Sequence, residues 1–243
     1  MMNAGSSIAE NLATVRENIE RAAHSAGRDP ASVKLVAVSK TVPAESVLEV
    51  LEAGHGLFGE NYVQEAREKI QTVGRDRTRW HFIGHLQRNK VKYVFDLFDM
   101  VETVDSLRLA QEIDRRAQRA GQRMDILIEV NISGEETKSG IDPAAIIDLV
   151  RGISRMEGLR LKGLMTMPPF LEPEQVRPYF TALRRLRDRL RDEAIPGVEL
   201  EELSMGMTSD YETAIEEGAT IVRVGTGIFG PRRTSQGEIC LQE

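Results

Sequence analysis

The chain has 243 residues, of which 41% are hydrophobic and 29% charged, and its formal net charge of −6 comes from interspersed signs. That is apolar mass for a sizeable core, while the acidic balance and only 5% aromatics argue against a nucleic-acid partner that needs basic patches or stacking platforms. A single cysteine, Cys240, excludes an intrachain disulfide framework and a cysteine zinc site; with no apolar leader in Met1 to Ser7 and no eighteen-residue apolar run, a cytoplasmic location without a membrane span is expected.

Ile8, Leu12, Val15 and Ile19 recur at helical spacing, with Ser6 or Ser7 as cap and Gly27 as stop, so an amphipathic helix is expected over about 6–26. From about 33 to 232 one unit repeats in kind. Strands are expected at Leu35–Lys40, Leu57–Glu60, Trp80–Gly84, Met100–Thr103, Asp125–Asn131, Leu159–Met165, Glu202–Ser204 and Ile221–Gly225. Helical patterns follow the first seven at Ala44–Ala53, Val63–Val73, Lys90–Phe98, Leu107–Ala120, Pro143–Ile153, Pro173–Asp192 and Tyr211–Glu217. Eight such units, at roughly 24 residues each, predict an α/β fold made of a single (β/α)8 barrel of the TIM type; a doubly wound sheet is the runner-up. No linker or low-complexity stretch suggests a second domain.

Such barrels place their chemistry at the C-terminal ends of the strands, with phosphate favouring the loops after strands 7 and 8. The first strand ends abruptly at Lys40, an unusual place for a lysine to be idle once the other loops are read. After strand 7 comes Ser204-Met205-Gly206-Met207-Thr208-Ser209-Asp210, and after strand 8 Gly225-Thr226-Gly227-Ile228-Phe229-Gly230. Glycines admit close backbone approach and hydroxyls add donors, so Ser204, Gly225 and Thr226 are candidate phosphate contacts, whereas Ser209 and Asp210 read as helix caps. The formal GxGxxG match at Gly225, Gly227 and Gly230 lacks room for the rest of a dinucleotide unit and is rejected.

Strand alternation turns Arg223 to the same face as Ile221 and Gly225, where a buried guanidinium needs a polar partner; Glu129 has the parity to supply it, and a ligand ring or acid is the alternative. His81 sits in a strand, so its i,i+4 spacing to His85 does not make a metal pair; it is a candidate for lining the mouth, while His24 and His55 read as surface residues. Lys138, after strand 5, reads as a solvated loop lysine. A lysine and a phosphate cradle on one face suggest a Schiff base with a phosphorylated aldehyde or ketone, either pyridoxal phosphate or a sugar phosphate.

Ala37-Val38-Ser39-Lys40-Thr41, Phe58-Gly59-Glu60-Asn61-Tyr62-Val63-Gln64-Glu65 and Trp80-His81-Phe82-Ile83-Gly84-His85-Leu86-Gln87 resemble the pyridoxal phosphate homeostasis protein family, the YggS-like group. So do Lys138-Ser139-Gly140, Gly163-Leu164-Met165-Thr166-Met167, Leu203-Ser204-Met205-Gly206-Met207 and Val222–Gly230, in order and in register from about Val33 to Arg232. The resemblance implies a barrel like the N-terminal domain of alanine racemase. It implies pyridoxal 5′-phosphate on Lys40 as a Schiff base, Asn61 beside the cofactor, Arg223 close to the pyridine nitrogen, and phosphate contacts at Ser204, Gly225 and Thr226. Val42 stands where some members carry a second lysine, so that residue's role does not carry over.

An arginine against the pyridine nitrogen disfavours its protonation and weakens the ring as an electron sink. Racemisation needs a second acid/base, which racemases draw from an additional β domain that this chain has no room for before Glu243. The expected function is therefore intracellular pyridoxal phosphate homeostasis as a monomeric carrier or buffer, with apo pyridoxal phosphate-dependent enzymes as recipients. A racemase-like enzyme is the alternative, and a cofactor-free Schiff-base aldolase a more distant one.

Overall fold

The computed structural model describes residues 6–135, 137–233 and 239–240. Helix α1 (Ile8–Ser25) opens with a capping box: the Ser7 hydroxyl accepts from the Glu10 N–H at 3.2 Å, and the Glu10 carboxylate accepts from the Ser7 N–H at 2.7 Å. Two orphan donors of the first turn are thereby satisfied, as the sequence around Ser6 and Ser7 suggests.

Eight parallel strands then close on one another in chain order: β1 (Lys34–Val38), β2 (Leu57–Glu60), β3 (Arg79–Phe82), β4 (Met100–Val104), β5 (Met124–Glu129), β6 (Leu159–Met165), β7 (Glu202–Ser204) and β8 (Ile221–Val224). The helices between them are α2 (Ala44–Glu52), α3 (Val63–Val73), α4 (Val94–Leu97), α5 (Leu107–Ala120), α6 (Ile146–Ile153), α7 (Pro173–Asp192) and α8 (Tyr211–Glu216). The expected helices at Lys90–Phe98 and Pro143–Ile153 begin as 3-10 turns, Arg88–Tyr93 and Pro143–Ala145. After β8 a one-turn helix, α9 (Thr226–Phe229), follows where none is expected, and a short hairpin, β9 (Arg232–Arg233) with β10 (Ile239–Cys240), contains the chain's cysteine. No helix among the described residues is long and apolar enough to cross a membrane.

Alternation along each strand splits the apolar residues into two cores. Leu35, Ala37, Phe58, Trp80, Phe82, Val101, Ile126 and Val222 face outward under the helices. Val36, Met100, Leu127, Met165 and Ile221 fill the lower barrel interior. Above them the interior turns polar: His81, Glu102, Glu129, Ser204 and Arg223 are all buried. The expected first strand runs two residues too far. Regular pairing ends at Val38, and although the Ser39 N–H still donates to the Gly59 carbonyl at 3.0 Å, Val42 N–H closes a turn on Ser39. Lys40 therefore leaves the barrel on a turn rather than on a strand.

Trp80 is fully buried, stacks on Phe58 with ring centroids 5.0 Å apart, and donates its indole N–H to the Thr78 hydroxyl at 2.8 Å. Trp80→Ala is expected to cost about 3–5 kcal/mol of unfolding free energy in urea titration, with the m-value unchanged.

Candidate functional site

The strands deliver Lys40, Asn61, Arg223, Gly225 and Thr226 to one cleft at the C-terminal mouth of the barrel, with Thr208 beside them. Val38, Ile83, Met167 and Met207 supply its apolar walls. Lys40 is half-buried on the turn after β1, Asn61 follows β2, and the α9 turn follows β8 directly. A Cβ at Gly227 would stand 2.8 Å from Val224 Cγ1 and 3.1 Å from Thr208 Cγ2. The close approach of the two loops that carry Thr208 and Thr226 thus requires a glycine there. The Thr226 hydroxyl donates to that of Thr208 at 3.1 Å, and the Gly227 N–H donates to the same Thr208 oxygen at 3.3 Å. Sequence reasoning passed over Thr208; the available signal was a hydroxyl in the loop facing the one that carries Thr226.

Arg223 forms the floor, only 4% exposed. Its guanidinium donates to the Ser204 hydroxyl at 2.5 Å and to the Thr166 carbonyl at 3.0 Å. Ser204 in turn donates to Glu102, whose other oxygen meets His81 Nδ1 at 2.6 Å. The expected partner for Arg223, Glu129, is a charge neighbour and not its hydrogen-bonding partner; parity gives the face of a strand but not the depth and reach that bring Ser204 and Glu102 closer. Ser204, expected as a phosphate contact, sits deeper than the other candidates. Fully buried, with its hydroxyl engaged by Glu102 and Arg223, it lies beneath the cleft and not on its wall. His81 likewise belongs to this internal line and does not line the cleft.

Burial pulls the Arg223 guanidinium down from its ordinary value, against the opposing pull of Glu102, Asp210 and Glu129. Burial pushes the Glu102 carboxyl up, but the bonds and charges of His81, Arg223 and Ser204 outweigh it and hold that carboxyl below the usual carboxylate range. Glu129 is pushed up to about 7 by burial and by Asp105, with Arg223 opposing.

Asn61 carries the most suggestive polar atom: its Oδ1 is buried and has no hydrogen-bond partner among the described residues. Buried acceptors are nearly always satisfied, so one that lines a cleft points to a donor on a bound molecule. Its backbone is crowded against Gly84, where a Cβ would stand 2.4 Å from the Asn61 carbonyl oxygen, so the residue sits where only a glycine can face it.

Behind the cleft, one further residue escaped sequence reasoning. Lys69 of α3 is 4% exposed and donates to the Ser39 carbonyl, to Glu60 Oε1 at 2.7 Å and to Glu65 Oε1 at 2.6 Å. On the sequence, Glu65 and Lys69 are an ordinary i,i+4 pair of an amphipathic helix, which carries no sign of burial. Thr41, next to Lys40, has φ 62, a left-handed conformation that costs a β-branched residue on the order of 1–3 kcal/mol.

The remaining expectations divide. Asp210 occupies the N-cap position of α8 without a side-chain capping bond and instead accepts from the Met207 N–H at 2.6 Å, tying the loop after β7; Ser209 is exposed. Lys138 pairs with Glu135 at 3.3 Å and does not line the cleft. His24 is exposed as expected. His55 is not a surface residue: it is half-buried, bonds the Leu57 carbonyl at 2.9 Å, and burial lowers it to about 4.

Residues 11–233 match the model of the alanine racemase N-terminal domain. The pyridoxal phosphate homeostasis protein of Aquifex aeolicus is 47% identical over 92% of this chain and 98% of its own. The structure of PipY from Synechococcus elongatus with PLP bound superposes with a TM-score of 0.82 at 36% identity, covering 92% of this chain and 100% of that one. An alanine racemase from Clostridium difficile shares the fold at a TM-score of 0.69 and 15% identity, covering 94% of this chain but 59% of the racemase.

Glu129 gives the site a pH signature. Its folded value lies above the ordinary 4.5, so its contribution to stability is whole below about pH 4.5 and is lost as pH rises through about 7. Glu129→Gln removes that loss. Wild type is expected to fall behind the variant by on the order of 3 kcal/mol in chemical denaturation between pH 5 and pH 8.

Proposed function

The chain belongs to the pyridoxal phosphate homeostasis protein family, and from that premise we propose that it binds pyridoxal 5′-phosphate at the barrel mouth and acts as an intracellular carrier or buffer of the cofactor. The observation that carries this reading is one amine, Lys40, sharing a cleft with an arginine floor, an orphaned Asn61 acceptor and a glycine–hydroxyl loop.

Each residue then has a task. The cofactor, when bound, supplies an aldehyde that condenses with an amine, forming a C=N bond and releasing the carbonyl oxygen as water. Lys40 is that amine, and it lines the cleft beside Val38 and Ile83. Thr226, Thr208 and the backbone from Gly225 to Gly227 would hold the phosphate, with hydroxyl and N–H donors. Asn61 would lie beside the cofactor and bind a polar group on it. Arg223 would stand close to the pyridine nitrogen, where its fixed charge would disfavour a proton on that atom. Ser204 acts from below by aiming Arg223.

Turnover has less support than binding. Among the described residues lining the cleft, Lys40 is the one amine and Arg223 the one guanidinium, and no carboxylate or imidazole joins them. A racemase needs a base on each face of its substrate carbon. We propose in addition that the chain acts in the cytoplasm as a monomer that hands the cofactor to apo-enzymes.

Two variants test the site. Wild type incubated with pyridoxal phosphate should develop a visible absorption band and, after borohydride reduction, carry the cofactor's mass on the Lys40 peptide. Lys40→Ala should show neither. Thr226→Val, which removes a donor to a charged group, should weaken cofactor binding about tenfold in a spectroscopic titration. Equal trapping in Lys40→Ala would contradict the assignment.

A further inference from the structure

Lys40 departs from the barrel on a single turn, and both of its neighbours are fastened to one buried cation. On the N-terminal side, the Ser39 carbonyl accepts from Lys69 Nζ, and the Ser39 hydroxyl donates to Glu60 Oε1 at 2.6 Å. On the C-terminal side, the Thr41 N–H donates to Glu65 Oε1 at 2.5 Å, and that oxygen also accepts from Lys69 at 2.6 Å. An ammonium has three protons to donate, and these three oxygens use them all. The two carboxylates come from different elements, Glu60 from the end of β2 and Glu65 from α3. Lys69 thus draws β2, α3 and the Lys40 turn onto one point.

A surface i,i+4 pair would not need this arrangement, and burying a lysine is costly unless it is fully bonded. The left-handed Thr41 beside it is a conformation that persists only where its surroundings impose it. Glu60 is buried, its Oε2 is without a hydrogen-bond partner among the described residues, and burial pushes its carboxyl up against the opposing pull of Lys69 and Ser39. The network is therefore tight around the turn and concentrates its bonds there.

We propose that Lys69, through Glu60 and Glu65, is a positioning residue that holds the Ser39–Thr41 turn so that the Lys40 amine faces the cleft. Its side-chain hydrogen bonds go to Ser39, Glu60 and Glu65, which do not line the cleft, and it acts by restricting where Lys40 can reach. This rests on the reading of Lys40 as the amine that receives the pyridoxal phosphate aldehyde. The reaction is the condensation already described, and Lys69 neither gains nor loses a proton in it. Displacing a reacting amine by a fraction of its working distance slows bond formation while leaving contacts elsewhere on the ligand intact.

The test separates bond formation from ligand binding. Pyridoxine 5′-phosphate has the ring and phosphate but no aldehyde, so its affinity reports the cleft without the amine. Lys69→Met keeps the length of the side chain and removes the cation. Lys69→Met combined with Glu65→Gln also neutralises a carboxylate left unpaired. Glu65→Ala, at a less buried position, removes the Thr41 anchor and serves if the lysine variants do not fold. In each folded variant, pyridoxine 5′-phosphate should bind as in wild type, while borohydride trapping on Lys40 slows by about tenfold or more. Lys69→Arg, which keeps the charge, should recover part of that rate. If wild type traps the cofactor and all folded variants trap it equally fast, or if pyridoxine 5′-phosphate binding falls in parallel with trapping, the positioning role is overturned. If wild-type Lys40 itself is not trapped, the reading of the cleft falls, and the positioning role with it.

Discussion

The guanidinium of Arg223 is the constraint around which the upper barrel is arranged. A charge inside a closed parallel barrel is tolerable only if it is bonded and balanced. Here the balance runs sideways through four strands: Arg223 on β8, Ser204 on β7, Glu102 on β4 and His81 on β3. This line replaces the apolar packing that fills the lower barrel, and it makes the floor of the cleft both rigid and positive. A floor of that kind suits a planar ring whose nitrogen is to stay unprotonated, and it explains why Ser204 is a support for the floor and not a wall.

Two buried electrostatic systems therefore flank the same cleft. One runs beneath the cleft through Arg223, and the other, centred on Lys69, lies behind the first turn. Between them stand the glycine-dependent contact of the loops after β7 and β8 and the unsatisfied Asn61 oxygen. Among the described residues that line the cleft, Lys40 is the one amine, and these polar groups surround it.

Much of this architecture is legible in the amino-acid order. Alternating strands and helices at even spacing leave a closed parallel barrel as the natural solution, and the barrel rule then directs attention to strand ends, where Lys40, Asn61, Arg223, Gly225 and Thr226 do converge. What pattern does not carry is depth. Period-two alternation places Glu129 and Arg223 on the inner face, yet the bonding partner is decided by stagger across the barrel, which favours Ser204 and Glu102. Local spacing misreads Lys69 and His55 for a similar reason: one looks like half of a solvated helix pair and the other like a loop residue, and burial by distant segments makes them otherwise. Asp210 shows competition between local choices, since the same carboxylate that could cap α8 closes the preceding turn instead.

In the carrier role proposed above, the cleft holds a cofactor in order to give it up. The direct measurement loads the chain with pyridoxal phosphate, removes the excess, and mixes it with an apo pyridoxal phosphate-dependent enzyme while a phosphatase destroys free cofactor. Recovery of that enzyme's activity, matched by loss of the chain's visible band, is the expected result. Sustained interconversion of amino-acid enantiomers by the loaded chain, with no reactivation of the apo-enzyme, would contradict it.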